Sequence, residues 1–467
     1  MAGSPPNVVL LSLDSLRADH LPTYGYTRNT APTLSDLADR TDVTVFENAF
    51  ATTAWTLPSH SSMFTGLPTV QHGVYDQGLR IDPEYTLAAK LSMAGYDTAA
   101  FLNNGWLTNA GVTDAFNHRF DIFDMEEPSS TIGRNINRLK ELFSMQDSGV
   151  SKSIQRFDDW VESTMPASAG DRDTPFFAFF HLMEPHYIYN AMRPYHKQYI
   201  DQSVIRLLMK QREIYTERGR YFAGETSISD RQMEGLVDLY DSEIKYLDTK
   251  LAELFDLLMR RNLFDNSLII IVGDHGELFG ERDLIGHHFS LSEELLHVPM
   301  FVKWPEGTNA LGANRSSAFV SLTDVFKTVT NMSNSNIPSK YNRSSLEEQH
   351  MQDNRRVFAH YQTPDSMLDS FRKQIDNQFD FDDEYDTSIS VVRDGSEKLV
   401  LTSDDVRYYD LDSDGGETND QSGTHANRVN ELRSALNDHL AADALAVDTG
   451  DEFSDGVQEQ LESLGYI

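Results

Sequence analysis

The chain has 467 residues, and its 39 Lys and Arg stand against 73 Asp and Glu for a net charge of −34. So acidic a surface repels nucleic acid and anionic lipid headgroups, so no nucleic-acid partner is expected. With no Cys in the sequence, disulfides, thiolate metal sites and a cysteine nucleophile are excluded.

Hydrophobic residues make up 39% of the chain and aromatics 10%, enough for a packed core rather than a disordered acidic polymer. Only 12 of the 39 basic residues are Lys, and this Lys-poor, Asp-rich balance resembles halophilic proteins that stay soluble in a very salty cytoplasm. The opening Met1-Ala-Gly-Ser-Pro-Pro6 carries no basic stretch or apolar h-region. No apolar run approaches the ~18–20 residues of a membrane span. The expectation is a cytoplasmic protein with no membrane span, and no feature of the sequence speaks to oligomeric state.

In chain order, Asn7 to Leu13 is nearly continuous apolar sequence, as in a strand covered on both faces of a parallel sheet, and it ends on Asp14. Leu87 to Met93 predicts a helix stopped at Gly95, and Tyr96 to Leu102 a further strand. The run Phe176 to Phe180 leads into His181-Leu-Met-Glu184-Pro185-His186. A long amphipathic helix is predicted from about Arg231 to Arg261, followed by the strand Ser267 to Val272, which delivers Asp274 just past its end. Ligands of open α/β sheets bind beyond the carboxyl ends of the strands, where these two acids fall. From Tyr341 to Tyr385 the chain turns polar and acidic, a boundary or loop-rich insertion. Beyond it Ser388 to Val392 and Lys398 to Thr402 read as antiparallel strands around Asp394-Gly395, with a closing helix near Val429 to Leu440. The expected domains are 1–340, the 341–385 insertion, and a small C-terminal α+β subdomain over 386–467.

Four segments carry chemistry. Asp274-His275 offers a carboxylate oxygen and an imidazole nitrogen to a divalent cation; capping of a following helix would also explain the pair, and the shared strand-end setting with Asp14 favours the metal. Trp55-Thr56-Leu-Pro58-Ser59-His60 turns into a helix near Pro58. There Thr56 or Ser59 is either a helix N-cap or, for Thr56, a nucleophile at the anion-stabilising end of the helix. His181, His186 and Gly286-His287-His288 add imidazoles suited to an anionic substrate.

These pieces resemble the sulfatase family of the alkaline phosphatase superfamily over nearly the whole chain. The match runs through Leu13-Asp14-Ser-Leu-Arg17-Ala-Asp19-His20, Thr56-Leu-Pro58-Ser59-His60, Thr65-Gly66, Pro185-His186, Asp274-His275-Gly276-Glu277, Val298-Pro299, Tyr409-Asp410-Leu411 and the terminal Leu464-Gly465-Tyr466. The resemblance implies an α/β fold with a mixed, mostly parallel sheet flanked by helices. It implies one divalent metal ion, Mn, Zn, Ca or Mg, held by Asp14, Asp274, His275 and Thr56, with Thr56 as the nucleophile. By the same resemblance His186 and His287 contact the transferred group or protonate its leaving oxygen, with His60, Asn104 and His181 binding substrate nearby. The substrate would be an anionic small-molecule, glycan or lipid-headgroup ester.

Two positions depart from the family pattern. Where sulfatases form a formylglycine from Cys or Ser and support it with Arg, this chain has Thr56 and His60. Oxidising Thr gives a ketone, so no formylglycine is expected. A phosphate monoester or diester is therefore the favoured substrate, against a true sulfuric ester hydrolase, a phospho-headgroup transferase or a non-catalytic binding member.

Overall fold

A computed structural model describes residues 5–122, 147–164, 174–308, 314–333, 345–350, 355–376, 378–445 and 448–449. The terminal Leu464-Gly465-Tyr466 lies outside these.

The apolar runs assemble into one eight-stranded sheet. Its order is Arg315–Ser321, Val43–Phe50, His297–Lys303, Ser267–Gly273, Asn7–Leu13, Phe176–Leu182, Asp97–Leu102 and His118–Asp121. Every pairing is parallel except the two made by His297–Lys303, which runs against both neighbours. All seven residues of each of the three central strands are buried, which is why their sequences do not alternate. Each Leu, Ile or Phe so placed contributes about 1.5–3 kcal/mol of burial.

Register brings the two acids together. Leu13 pairs with Leu182 on one side and Gly273 on the other, so Asp14 and Asp274, each the next residue, emerge side by side at one end of the sheet. The long helix Asp230–Arg260 packs alongside, started by a capping box between Ser229 and Gln232. Tyr240 on that helix grips the strand end: its hydroxyl donates to the Ser15 carbonyl at 2.7 Å and accepts from Arg17 N–H at 2.9 Å.

The second sheet is antiparallel, in the order Arg356–Gln362, Ser388–Asp394, Glu397–Leu401 and Val406–Asp410, with the helix Ala426–Leu440 against it. Its first strand falls inside the stretch 341–385, whose described part also holds the helices Asp365–Gln374 and Phe381–Tyr385. Arg356–Gln362 alternates buried and half-buried side chains, a one-faced strand easily lost among charged neighbours. Asp380 accepts hydrogen bonds from the N–H groups of Asp382 and Asp383, so that part of the acidic run caps and starts a helix.

Where the two sheets meet, the fully buried Lys398 ammonium donates to Glu293 at 3.0 Å and to Glu417 at 2.7 Å. Burial alone would raise the Glu293 carboxyl, but Lys398 and Arg393 outweigh it and hold the group at about 2, below its ordinary 4.5. A carboxyl depressed in the folded state stabilises fully above its ordinary value and loses that contribution as pH falls towards the folded one. Stability to urea should therefore drop between about pH 4.5 and 2, and Lys398→Met should remove part of that dependence. At neutral pH the same variant should cost about 1–3 kcal/mol, because it removes the buried ammonium shared by two carboxylates and leaves Glu293 to Arg393 at 3.4 Å and Glu417 to Arg282 at 3.5 Å. Urea unfolding of both proteins across this pH range checks it.

Candidate active site

The turn after Asn7–Leu13 is built around its acid. Asp14 N–H donates to the Leu182 carbonyl at 2.9 Å, anchoring the residue across the strand ends. Ser15 then takes a left-handed conformation with φ of 60°, uncommon outside glycine, which turns its N–H onto Asp274 Oδ1 at 3.1 Å and its hydroxyl onto Asp14 Oδ1 at 3.0 Å. His275 N–H also donates to Asp274 Oδ1, at 2.9 Å. The loop stays tight because Gly276 lies against the Glu294 carbonyl, where any Cβ would sit only 1.8 Å away.

Donor atoms of Asp14, Asp274 and His275 lie within 4.8 Å of one another, all buried. Asp274 Oδ2 accepts no hydrogen bond among the described residues. Two carboxylates facing each other away from water are costly without a cation between them. Burial and the neighbouring Asp14 push Asp274 up; for Asp14, burial is outweighed by His186, His181 and His275, which hold it well below the usual carboxylate range. His275 supports the same reading: Nδ1 donates to the Gly276 carbonyl at 2.9 Å, which leaves the Nε2 lone pair facing the acids, 3.5 Å from Asp14 Oδ1 and from Asp274 Oδ2. Hard oxygens plus one imidazole suit a divalent cation.

Thr56 faces this group. It is the first residue of the helix Thr56–Thr65, whose N-cap is Trp55 with no side-chain cap bond. The capping alternative for Thr56 and Ser59 is thereby corrected. The Thr56 hydroxyl is 3.2 Å from His275 Nε2, and the Ser59 hydroxyl donates to the Asp274 carbonyl at 2.7 Å. Both hydroxyls are drawn into the site rather than back onto their own helix.

His60, His181 and Asp274 form a second set of donors within the same 4.8 Å spacing. His60, however, commits both nitrogens: Nδ1 donates to the Thr56 carbonyl at 2.8 Å and Nε2 accepts from the Ser12 hydroxyl at 2.9 Å. With burial pushing it down to about 3, it is a neutral ring holding the first helical turn against the strand Asn7–Leu13. His181 Nε2 lies 3.3 Å from Asp14 Oδ2, and Asn104 Nδ2 3.5 Å from the same oxygen.

The two remaining histidines complete the group. His186 is pushed down to about 4, by burial first, against the pull of Asp14. Its ring centre is 5.2 Å from that of His287, which in turn is 4.6 Å from that of His275. Every residue of the sequence-derived site is thus brought to one end of the sheet. Sequence reasoning missed Ser12, Ser15, Glu277, Arg218 and Tyr187. Glu277 carried a signal, as the end of the Asp274-His275-Gly276-Glu277 string, and so did Ser15, inside Leu13-Asp14-Ser-Leu-Arg17.

The family model described as Sulfatase matches residues 6–335. The multifunctional alkaline phosphatase superfamily protein PehA of Trinickia caryophylli is 23% identical, over 90% of this chain and 92% of its own length. An arylsulfatase of Clostridium perfringens (strain 13 / Type A) is 23% identical over 73% of this chain and 78% of its own. Among solved structures, the phosphonate monoester hydrolase of Agrobacterium radiobacter superposes with a TM-score of 0.68 at 19% identity, covering 92% of this chain and 96% of that one. The phosphonate monoester hydrolase SpPMH of Silicibacter pomeroyi gives 0.69 at 18% identity, over 93% and 95%.

Proposed function

The chain belongs to the sulfatase family and is a hydrolase of ester bonds, and from that premise we propose that it opens phosphate monoesters or diesters by double displacement through Thr56. The observation that carries this reading is the Thr56 hydroxyl, buried at the start of its helix and 3.2 Å from His275 Nε2 among the paired acids.

Asp14, Asp274, His275 and Thr56 would hold one divalent ion, Mn, Zn, Ca or Mg. When bound, it supplies Lewis acidity to the non-bridging oxygens of the transferred group and lowers the pKa of the Thr56 hydroxyl. The Thr56 hydroxyl first loses its proton to water; Oγ1, as the alkoxide, then attacks phosphorus at the positive end of its ten-residue helix, and the bond to the leaving oxygen breaks. That oxygen keeps the electron pair and takes a proton from His287, or from His186 beside it; burial lowers both imidazoles, so this proton is one taken up as the anionic ester binds. Water then attacks the phosphorus of the threonine ester, gives a proton to the same imidazole, and Oγ1 leaves. Asn104 and His181 sit at the Asp14 side to contact the transferred group, and His60 holds the Thr56 turn in place.

Phosphate is favoured over sulfate by the chemistry of residue 56. A formylglycine hydrate releases sulfate by breaking its own C–O bond, a route closed to threonine, whereas attack of water on a phosphothreonine-type ester is ordinary phosphoryl transfer. Turnover of nitrophenyl phosphate, bis-nitrophenyl phosphate and nitrophenyl sulfate with each of the four ions should rank both phosphates above the sulfate. A sulfate ester turned over clearly faster would favour a sulfuric ester hydrolase. Absence of turnover in folded protein with every pair would favour a binding member.

The natural ester is anionic, on a small molecule, glycan or lipid headgroup. We place the enzyme in a salty cytoplasm on its net charge of −34, and among the described residues no helix is long and apolar enough to cross a membrane. Residues 1–340 would form the catalytic domain and 386–467 the small subdomain, whose sheet takes its first strand, Arg356–Gln362, from the acidic stretch between.

A further inference from the structure

We propose that Glu277 is the positioning residue of the leaving-group histidine, His287, and that Arg218 and Tyr187 complete its mounting. The inference rests on the reading of His287 as proton donor and adds the groups that aim it.

The hairpin after the Asp274-His275 pair sets the geometry. Strand Leu278–Phe279 pairs antiparallel with Ile285–Gly286, with Leu278 opposite Gly286, so the next step along the ladder brings Glu277 opposite His287. Glu277 Oε2 is 3.5 Å from His287 Nδ1, and both side chains are fully buried. Such contacts are often long before substrate binds and tighten in the complex. Gly286 takes a φ of +79°, and a Cβ there would lie 3.7 Å from both Arg218 Nη1 and Glu277 Oε1, so guanidinium and carboxylate flank the backbone just before His287. The buried Arg218 donates through Nη1 to the Tyr187 hydroxyl at 2.6 Å. The Tyr187 ring stacks on the His287 ring, with centres 5.4 Å apart and planes 20° from parallel.

His287 is thereby stacked on one face by Tyr187, and its Nδ1 faces Glu277 at 3.5 Å, a contact that closes to a hydrogen bond in the working complex. With Nδ1–H given to the carboxyl, Nε2 is the atom that hands a proton to the leaving oxygen and later takes one from the attacking water. A carboxyl behind a catalytic imidazole fixes both its tautomer and its aim.

The proton matters most for leaving groups that are poor without it, so the test compares aryl and alkyl phosphate esters in metal-loaded enzyme, wild type against Glu277→Ala, Glu277→Gln and His287→Ala. His287→Ala should lower kcat on the alkyl ester about a hundredfold or more beyond its effect on the aryl ester, the range of general acid catalysis. Glu277→Ala should show the same bias at about tenfold or more, and Glu277→Gln, which still accepts a hydrogen bond, should recover most of it. Metal content should match wild type throughout. If His287→Ala shows the bias and neither Glu277 variant does, the positioning role is wrong and the acid stands. If His287→Ala shows none, the acid assignment fails and takes this proposal with it. Should Glu277→Ala not fold, an unbiased loss in Glu277→Gln refutes the role and a biased partial loss supports it.

Discussion

Thr56→Ala should abolish turnover, by about four to six orders of magnitude as for loss of other enzymatic nucleophiles, while the protein stays folded. The structure makes the second half of that expectation strict. Thr56 is the first helical residue, its side chain makes no capping bond, and its contact is with His275 Nε2. Little stability therefore depends on the hydroxyl, since loss even of a true cap costs only about 0.5–2 kcal/mol. Steady-state assays beside thermal melts measure both halves. Wild-type turnover in the variant would remove the nucleophile from position 56, and unfolding would show that the residue matters first for structure.

The second large effect concerns the paired acids. Asp274→Asn should lower the divalent ion from about one per chain to nearly none and cut turnover by more than about a thousandfold, the rate equivalent of the several kcal/mol a Lewis acid supplies. The same change should act on stability with opposite signs. Without the ion, Asn relieves the confrontation of two buried carboxyls, so the variant should melt above wild type in chelator. With the ion, wild type gains binding energy that the variant lacks, so the order should reverse. Elemental analysis and melts with and without chelator settle it; an unchanged order in both conditions would mean that Asp14 and Asp274 do not share a cation.

Much of this site was legible because the sheet is simple where it matters. Fully buried parallel strands read as unbroken apolar runs, and a run that stops on an acid points to the binding end of the sheet. What the sequence hid is what folding adds from afar. Ser15 is a serine in a left-handed turn, a conformation its chemistry does not announce. His60 stands where the resemblance expects a supporting Arg, but only the three-dimensional packing shows it spent on Ser12 and the Thr56 backbone. Arg218 reaches the site from a separate short helix and leaves no local pattern. Thr56 itself was open between cap and nucleophile because both need the same residue at the same helix end; the direction of its hydroxyl, which no spacing encodes, speaks against the cap.

The most direct test is to trap the intermediate. Metal-loaded enzyme mixed with nitrophenyl phosphate and quenched in acid within the first turnovers should carry one phosphoryl group on the peptide containing Thr56, and Thr56→Ala should carry none. Turnover by the wild type with no phosphoryl group on that peptide at any quench time, or with the group on another residue, would contradict double displacement through Thr56.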